Sequence, residues 1–376
     1  MRVERSRAAI THDHVHPHHP GEPAGHIHPH HGAVFDRRAA LRSGALGIGA
    51  ILLAACGSST SDSTASVSTD ADSTSGASAP TTNGTATNDV TEATAGTVSG
   101  TVPVGVLAGF DAFADTVTAF ASGDVWMVEC YGIPMHQMMV GITSWQQQVP
   151  VAQDYTGANA WQFPITPQLA DEPVSARTGL FRGAIALAVN GIPIFNALNN
   201  RGDDAFLVGE LDEFGGHCGR ADDYHYHAAP LHLEAVVGPA NPIAYALDGF
   251  AIYGSIEPDG SPLEPLDEYN GHTGPDGVYH YHGTTTYPYI NGGLIGVVEV
   301  SDQVEPQPVT PAFRPAGEPL AGATVTGFED LGNGSYRLEY TVGDALGSVD
   351  YTVTETTVSF EFTSPTGDVT TETYSR

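Results

Sequence analysis

From residue 107 onward the chain alternates between short apolar runs and clusters of Gly, Pro and Asn. The runs at 125–130, 183–189, 233–237, 244–247 and 293–300 are each too short for an ordinary helix, and turn residues bound them at roughly 8–12-residue intervals. That pattern predicts a mostly β domain with long ordered loops over 107–305. The best candidate helix is 110–122, where Phe113, Val117 and Phe120 recur at helical spacing. Beyond about Gly322 the pattern becomes strict alternation at 336–340, 349–353, 358–362 and 369–374. Turn signals at Gly332-Asn333-Gly334, Gly343-Asp344 and Thr366-Gly367-Asp368 separate these stretches. This predicts a small C-terminal antiparallel β meander over 322–376, joined through a Pro-rich linker at 306–321.

Upstream the pattern is of another kind. Residues 57–106 are almost entirely Ser, Thr, Ala, Asp and Gly and read as a disordered linker. Residues 1–56 read as a signal region. Arg37-Arg38 resembles a twin-arginine export signal, although Asp36 and Ala40 depart from that pattern, and ordinary secretory export is the alternative. The apolar run 44–55 is too short to span a bilayer and ends in Leu53-Ala54-Ala55-Cys56-Gly57, which resembles a bacterial lipidation box. The His-rich leader between His12 and His31 precedes that signal and would be removed with it; a start near Val34 would leave it untranslated. The expectation is an extracytoplasmic lipoprotein held to the cell membrane through Cys56.

Charge narrows the partners. The chain has no lysine, and downstream of Cys56 seven arginines face forty Asp and Glu. A formal charge so negative excludes electrostatic binding of nucleic acid. Only Cys130 and Cys218 remain downstream of Cys56, and outside the cytoplasm one disulfide between them is the default expectation, with a metal-bound or free thiol as the rival.

Chemistry is concentrated in a duplication. Leu211-Asp212-Glu213-Phe214-Gly215-Gly216-His217 followed by Tyr224-His225-Tyr226-His227 recurs as Leu266-Asp267-Glu268-Tyr269-Asn270-Gly271-His272 followed by Tyr279-His280-Tyr281-His282. Of the histidines beyond residue 100, only His136 and His232 lie outside the two copies. In an extended Tyr-His-Tyr-His segment the two histidines share one face and the two tyrosines the other. A third imidazole, His217 or His272, can reach the same face from the preceding loop. Three-histidine sets suit zinc and copper. Structural histidines fixed by duplication are the plain alternative. Met135-His136-Gln137-Met138-Met139 adds soft thioethers and a possible ligand in His136, which favours copper, unless Met138 is core filler. Asp212 and Asp267, present in both copies, are candidates to support the ligands from behind. A weaker echo pairs Tyr131-Gly132-Ile133-Pro134 with Asn190-Gly191-Ile192-Pro193, which reads as a repeated turn.

These motifs, with Asp248-Gly249-Phe250-Ala251-Ile252-Tyr253-Gly254 between them, resemble the YHYH-domain family, known mainly from exported bacterial proteins. The resemblance covers about residues 125–300 and implies no settled activity. Asp248 and Tyr253 match one of its elements and become further candidates to line the site. The reading is therefore a tethered extracytoplasmic protein that binds a transition metal, copper or zinc. A metal-dependent hydrolase or oxidase and a non-catalytic surface interaction protein are the alternatives. No Gly-x-Ser-x-Gly or His-Glu-x-x-His motif is present, and the sequence does not decide whether the protein is an enzyme.

Overall fold

The computed structural model describes residues 107–301 and 309–376. The signal region, the linker to residue 106, Cys56 and part of the Pro-rich stretch lie outside these residues. The described chain is mostly β. Strands β1 (Thr118–Ser122), β2 (Val125–Glu129) and β3 (Trp161–Pro164) form one antiparallel sheet. The helix expected over 110–122 is reduced to one 3-10 turn, Phe110–Phe113. Val117 and Thr118 are β-branched, and Gly123 at φ 63° closes a tight turn. Residues 118–122 therefore gain a full ladder against β2, which isolated helical turns cannot match.

The centre of the molecule is an eight-stranded sheet. Its members are β5 (Ala184–Ala188), β6 (Pro193–Phe195), β7 (Gly216–Cys218), β8 (Tyr224–Tyr226), β9 (Ala244–Ala246), β10 (Ala251–Tyr253), β11 (Gly271–Thr273) and β12 (Tyr279–His282). The spatial order is β11-β12-β10-β9-β5-β6-β8-β7. Exchanging β5–β8 with β9–β12 returns the same order reversed. The central pair is antiparallel, with Leu187 opposite Tyr245. On either side the Tyr-His-Tyr-His strand runs parallel to an inner strand, Ile194 opposite Tyr226 and Ile252 opposite Tyr281. The duplication is thus a whole four-stranded unit. In it, Asn190-Gly191 turns β5 into β6 as Asp248-Gly249 turns β9 into β10, both glycines at positive φ. The counterpart of Asn190–Phe195 is accordingly Asp248–Tyr253, and not the Tyr131–Pro134 echo seen in the sequence. Every residue of β5 is buried, which explains its unbroken apolar composition, Ala-Ile-Ala-Leu-Ala.

Strand β4 (Leu169–Ser175) pairs with β13 (Gly293–Gly296) outside this sheet. The run 233–237 is not a strand. It forms a 3-10 turn and a four-residue helix, Glu234–Val237, stopped by Gly238 at φ 77°. Val236 there is exposed, so the segment has no second face to bury. The C-terminal meander has five strands: β14 (Ala323–Gly332), β15 (Ser335–Val342), β16 (Ala345–Val353), β17 (Thr357–Thr363) and β18 (Val369–Ser375), in sequential order. Its inner residues Val325, Leu338, Val349, Tyr351 and Phe360 join the same apolar core as the central sheet. Main-chain bonds Gly141 N–H to Val325 O and Val325 N–H to Ile142 O seal the junction, and Tyr351 Oη donates to Pro150 O.

Cys130 and Cys218 are both buried free thiols, so the expected disulfide is not formed. Cys130 Sγ donates to Gly191 O at 3.2 Å, and burial pushes its pKa up to about 12. Cys218 alternates with His217 on β7 and is buried in the apolar core. Among the described residues no helix is long and apolar enough to cross a membrane.

Candidate metal centres

Each histidine triplet is assembled by one tight β hairpin. In the β7–β8 ladder His217 sits directly opposite His225, and in β11–β12 His272 sits opposite His280. His227 and His282 follow two residues on, so the pleat returns them to the same face. The glycine before the first histidine is a packing requirement. A Cβ on Gly216 would stand 2.5 Å from Tyr224 Oη, and one on Gly271 would stand 2.4 Å from Tyr279 Oη. No side chain fits there without displacing the tyrosine.

In the first hairpin, centre A, His227 Nε2 lies 3.1 Å from both His217 Nε2 and His225 Nε2. In the second, centre B, His272 Nε2 lies 3.0 Å from His280 Nε2 and 3.3 Å from His282 Nε2. Opposite ring nitrogens settle what those contacts are. His225 Nδ1 is 3.0 Å from Asp223 O, His227 Nδ1 is 2.5 Å from Asn196 O and His282 Nδ1 is 2.8 Å from Gly254 O. A carbonyl only accepts, so in the neutral rings the single hydrogen is on Nδ1 and Nε2 is a bare lone pair. The two lone pairs of His225 and His227 therefore face each other with no proton between them. Burial also opposes adding one: it lowers the His227 pKa to about 3 and that of His282 to about 4, and it depresses His217 and His280. A cation placed among the lone pairs removes the conflict. Bonds of about 2.0–2.1 Å to a tetrahedral ion put neighbouring nitrogens about 3.3 Å apart, close to the spacing found.

Centre B has a fourth donor. Glu257 Oε1 lies 3.4 Å from His272 Nε2, and its Oε2 lies 3.6 Å from His280 Nε2 and 3.7 Å from His282 Nε2. Glu257 is buried, and burial alone would raise its pKa. The Glu264 N–H and the three imidazoles outweigh that effect and hold it below the ordinary carboxylate value. The two units diverge here. Ile256 bridges to Pro262 as Leu198 bridges to Asp204, and Gly260 and Gly202 close the two turns with φ 84° and 82°. Those correspondences place Asn199 of the first unit where the second has Glu257. Glu257 was not among the residues the sequence picked out, because nothing aligned with it was acidic.

Around the imidazoles the units match again. Phe195 stacks on His225 with ring centroids 3.9 Å apart, and Tyr253 meets His280 edge-on at 5.2 Å. Tyr253 thus lies against His280 and His282. Asp212 and Asp267 do not touch the histidines. Each accepts the hydroxyl of the first tyrosine, Tyr224 at 2.7 Å or Tyr279 at 2.9 Å, and main-chain N–H groups of its own turn. They brace the tyrosine face and so fix the strand. Asp248 does the same, accepting from Tyr281 Oη at 2.6 Å, where its counterpart Asn190 donates to Tyr226 Oη at 2.9 Å.

His136 belongs to the tyrosine face as well and is not a ligand. Its Nδ1 bonds Gln137 O and its Nε2 bonds Tyr226 Oη at 2.6 Å, while the ring stacks on Phe214. The thioethers beside it are placed in the core or at the surface. Met138 and Met139 are core, Met135 is exposed, and Met139 Sδ accepts from Cys218 N. The argument for copper from this segment falls with them.

The two centres emerge as separate metal-sized clusters among the described residues, one of three imidazoles and one of three imidazoles and a carboxylate. Residues 160–262 match the family described as YHYH protein. The match takes in the whole first unit and ends inside the second, before its Tyr-His-Tyr-His strand. No curated protein and no solved structure matches the chain.

Proposed function

We propose that this YHYH-domain chain is a metalloprotein that holds two transition-metal ions, one in each hairpin of its duplicated sheet. The observation that carries the reading is the pair of imidazole clusters with converging Nε2 atoms, two of which, on His225 and His227, face each other without a hydrogen. An imidazole and carboxylate set without thiolate suits zinc or copper(II). If the signal region acts as its residues indicate, the protein works outside the cytoplasm, tethered through Cys56, where it encounters such ions directly. Metal binding then contributes to the stability of the hairpins, because three neutral imidazoles cannot otherwise be crowded together without cost.

The test is elemental analysis of the purified full chain. Two ions per chain are expected, falling to one in His225→Ala/His227→Ala and to one in His280→Ala/His282→Ala. His136→Gln should keep both. A folded wild-type chain that takes up no zinc or copper contradicts the reading.

A further inference from the structure

Resting on that reading, we infer that the two centres have different work: centre B is a closed structural site, and centre A binds a small oxyanion, a carboxylate or phosphate, on its metal. Glu257 completes centre B with a negative oxygen. At the matching place centre A has Asn199, whose Nδ2 is turned to Glu210 Oε2 at 3.2 Å, away from the role of an anionic ligand. A three-histidine ion keeps one position open.

That position opens onto a cavity of about 460 Å³ lined by His217, His225 and His227, a size suited to a small ligand. Arg182, Arg201, Arg220 and Arg314 line the same cavity, so four of the seven arginines downstream of Cys56 gather at one place in a strongly acidic chain. The carboxylates in the wall are already matched. Asp222 forms a two-pronged pair with Arg314, both bonds 2.6 Å, and Glu210 pairs with Arg201. Arg182 and Arg220 are exposed and form no ion pair with any described residue. Arg220 Nη1 donates to a main-chain oxygen, Arg314 O. Two guanidiniums without an ion-pair partner, in the wall of the cavity onto which a metal's open position faces, are a receptor for an anion with oxygens to spare: one on the ion, others on the forks.

The experiment uses the full chain loaded with two zinc ions, titrated calorimetrically with inorganic phosphate and, separately, with malonate. One anion per chain is expected, and the tighter of the two identifies the class. The Arg182→Ala/Arg220→Ala variant should keep both zinc ions and bind at least tenfold more weakly. Asn199→Glu, which gives centre A the carboxylate of centre B, should keep zinc and lose the anion. His280→Ala/His282→Ala should keep anion binding with one zinc. Protein that holds two zinc ions yet takes neither anion overturns the inference, as does undiminished affinity in the arginine variant. A chain without zinc overturns the metal reading itself, and the metal count separates the two failures.

Discussion

His225 and His227 each give their one ring hydrogen to a main-chain oxygen, and that fixes which nitrogen is free. The same economy governs the other face. His136 and His232 are half-buried among Phe214 and Tyr226, and desolvation lowers their pKa values to about 4 and about 3. Both therefore stay neutral in the folded chain while the unfolded chain takes up protons near pH 6.5. Depressed values mean that stability is complete above pH 6.5 and is lost as pH falls toward 4. Over that window each such histidine costs about 1.4 kcal/mol per pH unit. The melting temperature of chelator-treated protein should be flat from pH 8 to 6.5 and drop steeply below it. A level profile down to pH 4.5 would show these rings to be solvated or already charged.

Among the elements, the hairpins were legible because their chemistry is written in side chains. Gly-His and Tyr-His-Tyr-His recur letter for letter, and period-two alternation puts the rings on one face. The C-terminal meander was legible for the same reason, its turns carrying Gly and Asn where the backbone demands them. The larger unit was hidden. β5 and β9 share little beyond small and apolar residues, and Asn190 stands for Asp248, and Phe195 for Tyr253, by playing equivalent parts with different atoms. Asn196 O and Gly254 O, which set two of the tautomers, are main-chain atoms to which sequence is blind. Glu257 could be found only through the turn that aligns it with Asn199. The failed helix at 110–122 has a cause of a different kind: helical spacing of three apolar residues also occurs in a 3-10 turn followed by a strand, and pairing with β2 decided between them.

At the scale of the whole molecule, the meander is packed into the core beside the eight-stranded sheet, and the segment leading to it reaches centre A. Arg314 grips Asp222, 1 % exposed, whose Oδ1 also accepts from Val149 N at 3.0 Å. Asp222 lies three residues before His225, in the turn between β7 and β8. Removing the guanidinium leaves a buried carboxylate unpaired, an arrangement that costs about 3–5 kcal/mol where it has been measured. Arg314→Ala should therefore lower the denaturation free energy by about that amount. It should also weaken zinc at centre A more than at centre B, as read by metal competition in the His280→Ala/His282→Ala and His225→Ala/His227→Ala backgrounds. Equal weakening of both would mean that the contact supports the fold in general and not the hairpin.

X-ray absorption at the zinc edge of the loaded full chain probes the lone-pair geometry itself. The predicted first shell contains only nitrogen and oxygen at about 2.0–2.1 Å, with the outer-shell scattering of three imidazoles per ion. A sulfur shell near 2.3 Å, or an oxygen shell without imidazole scattering, would contradict the account.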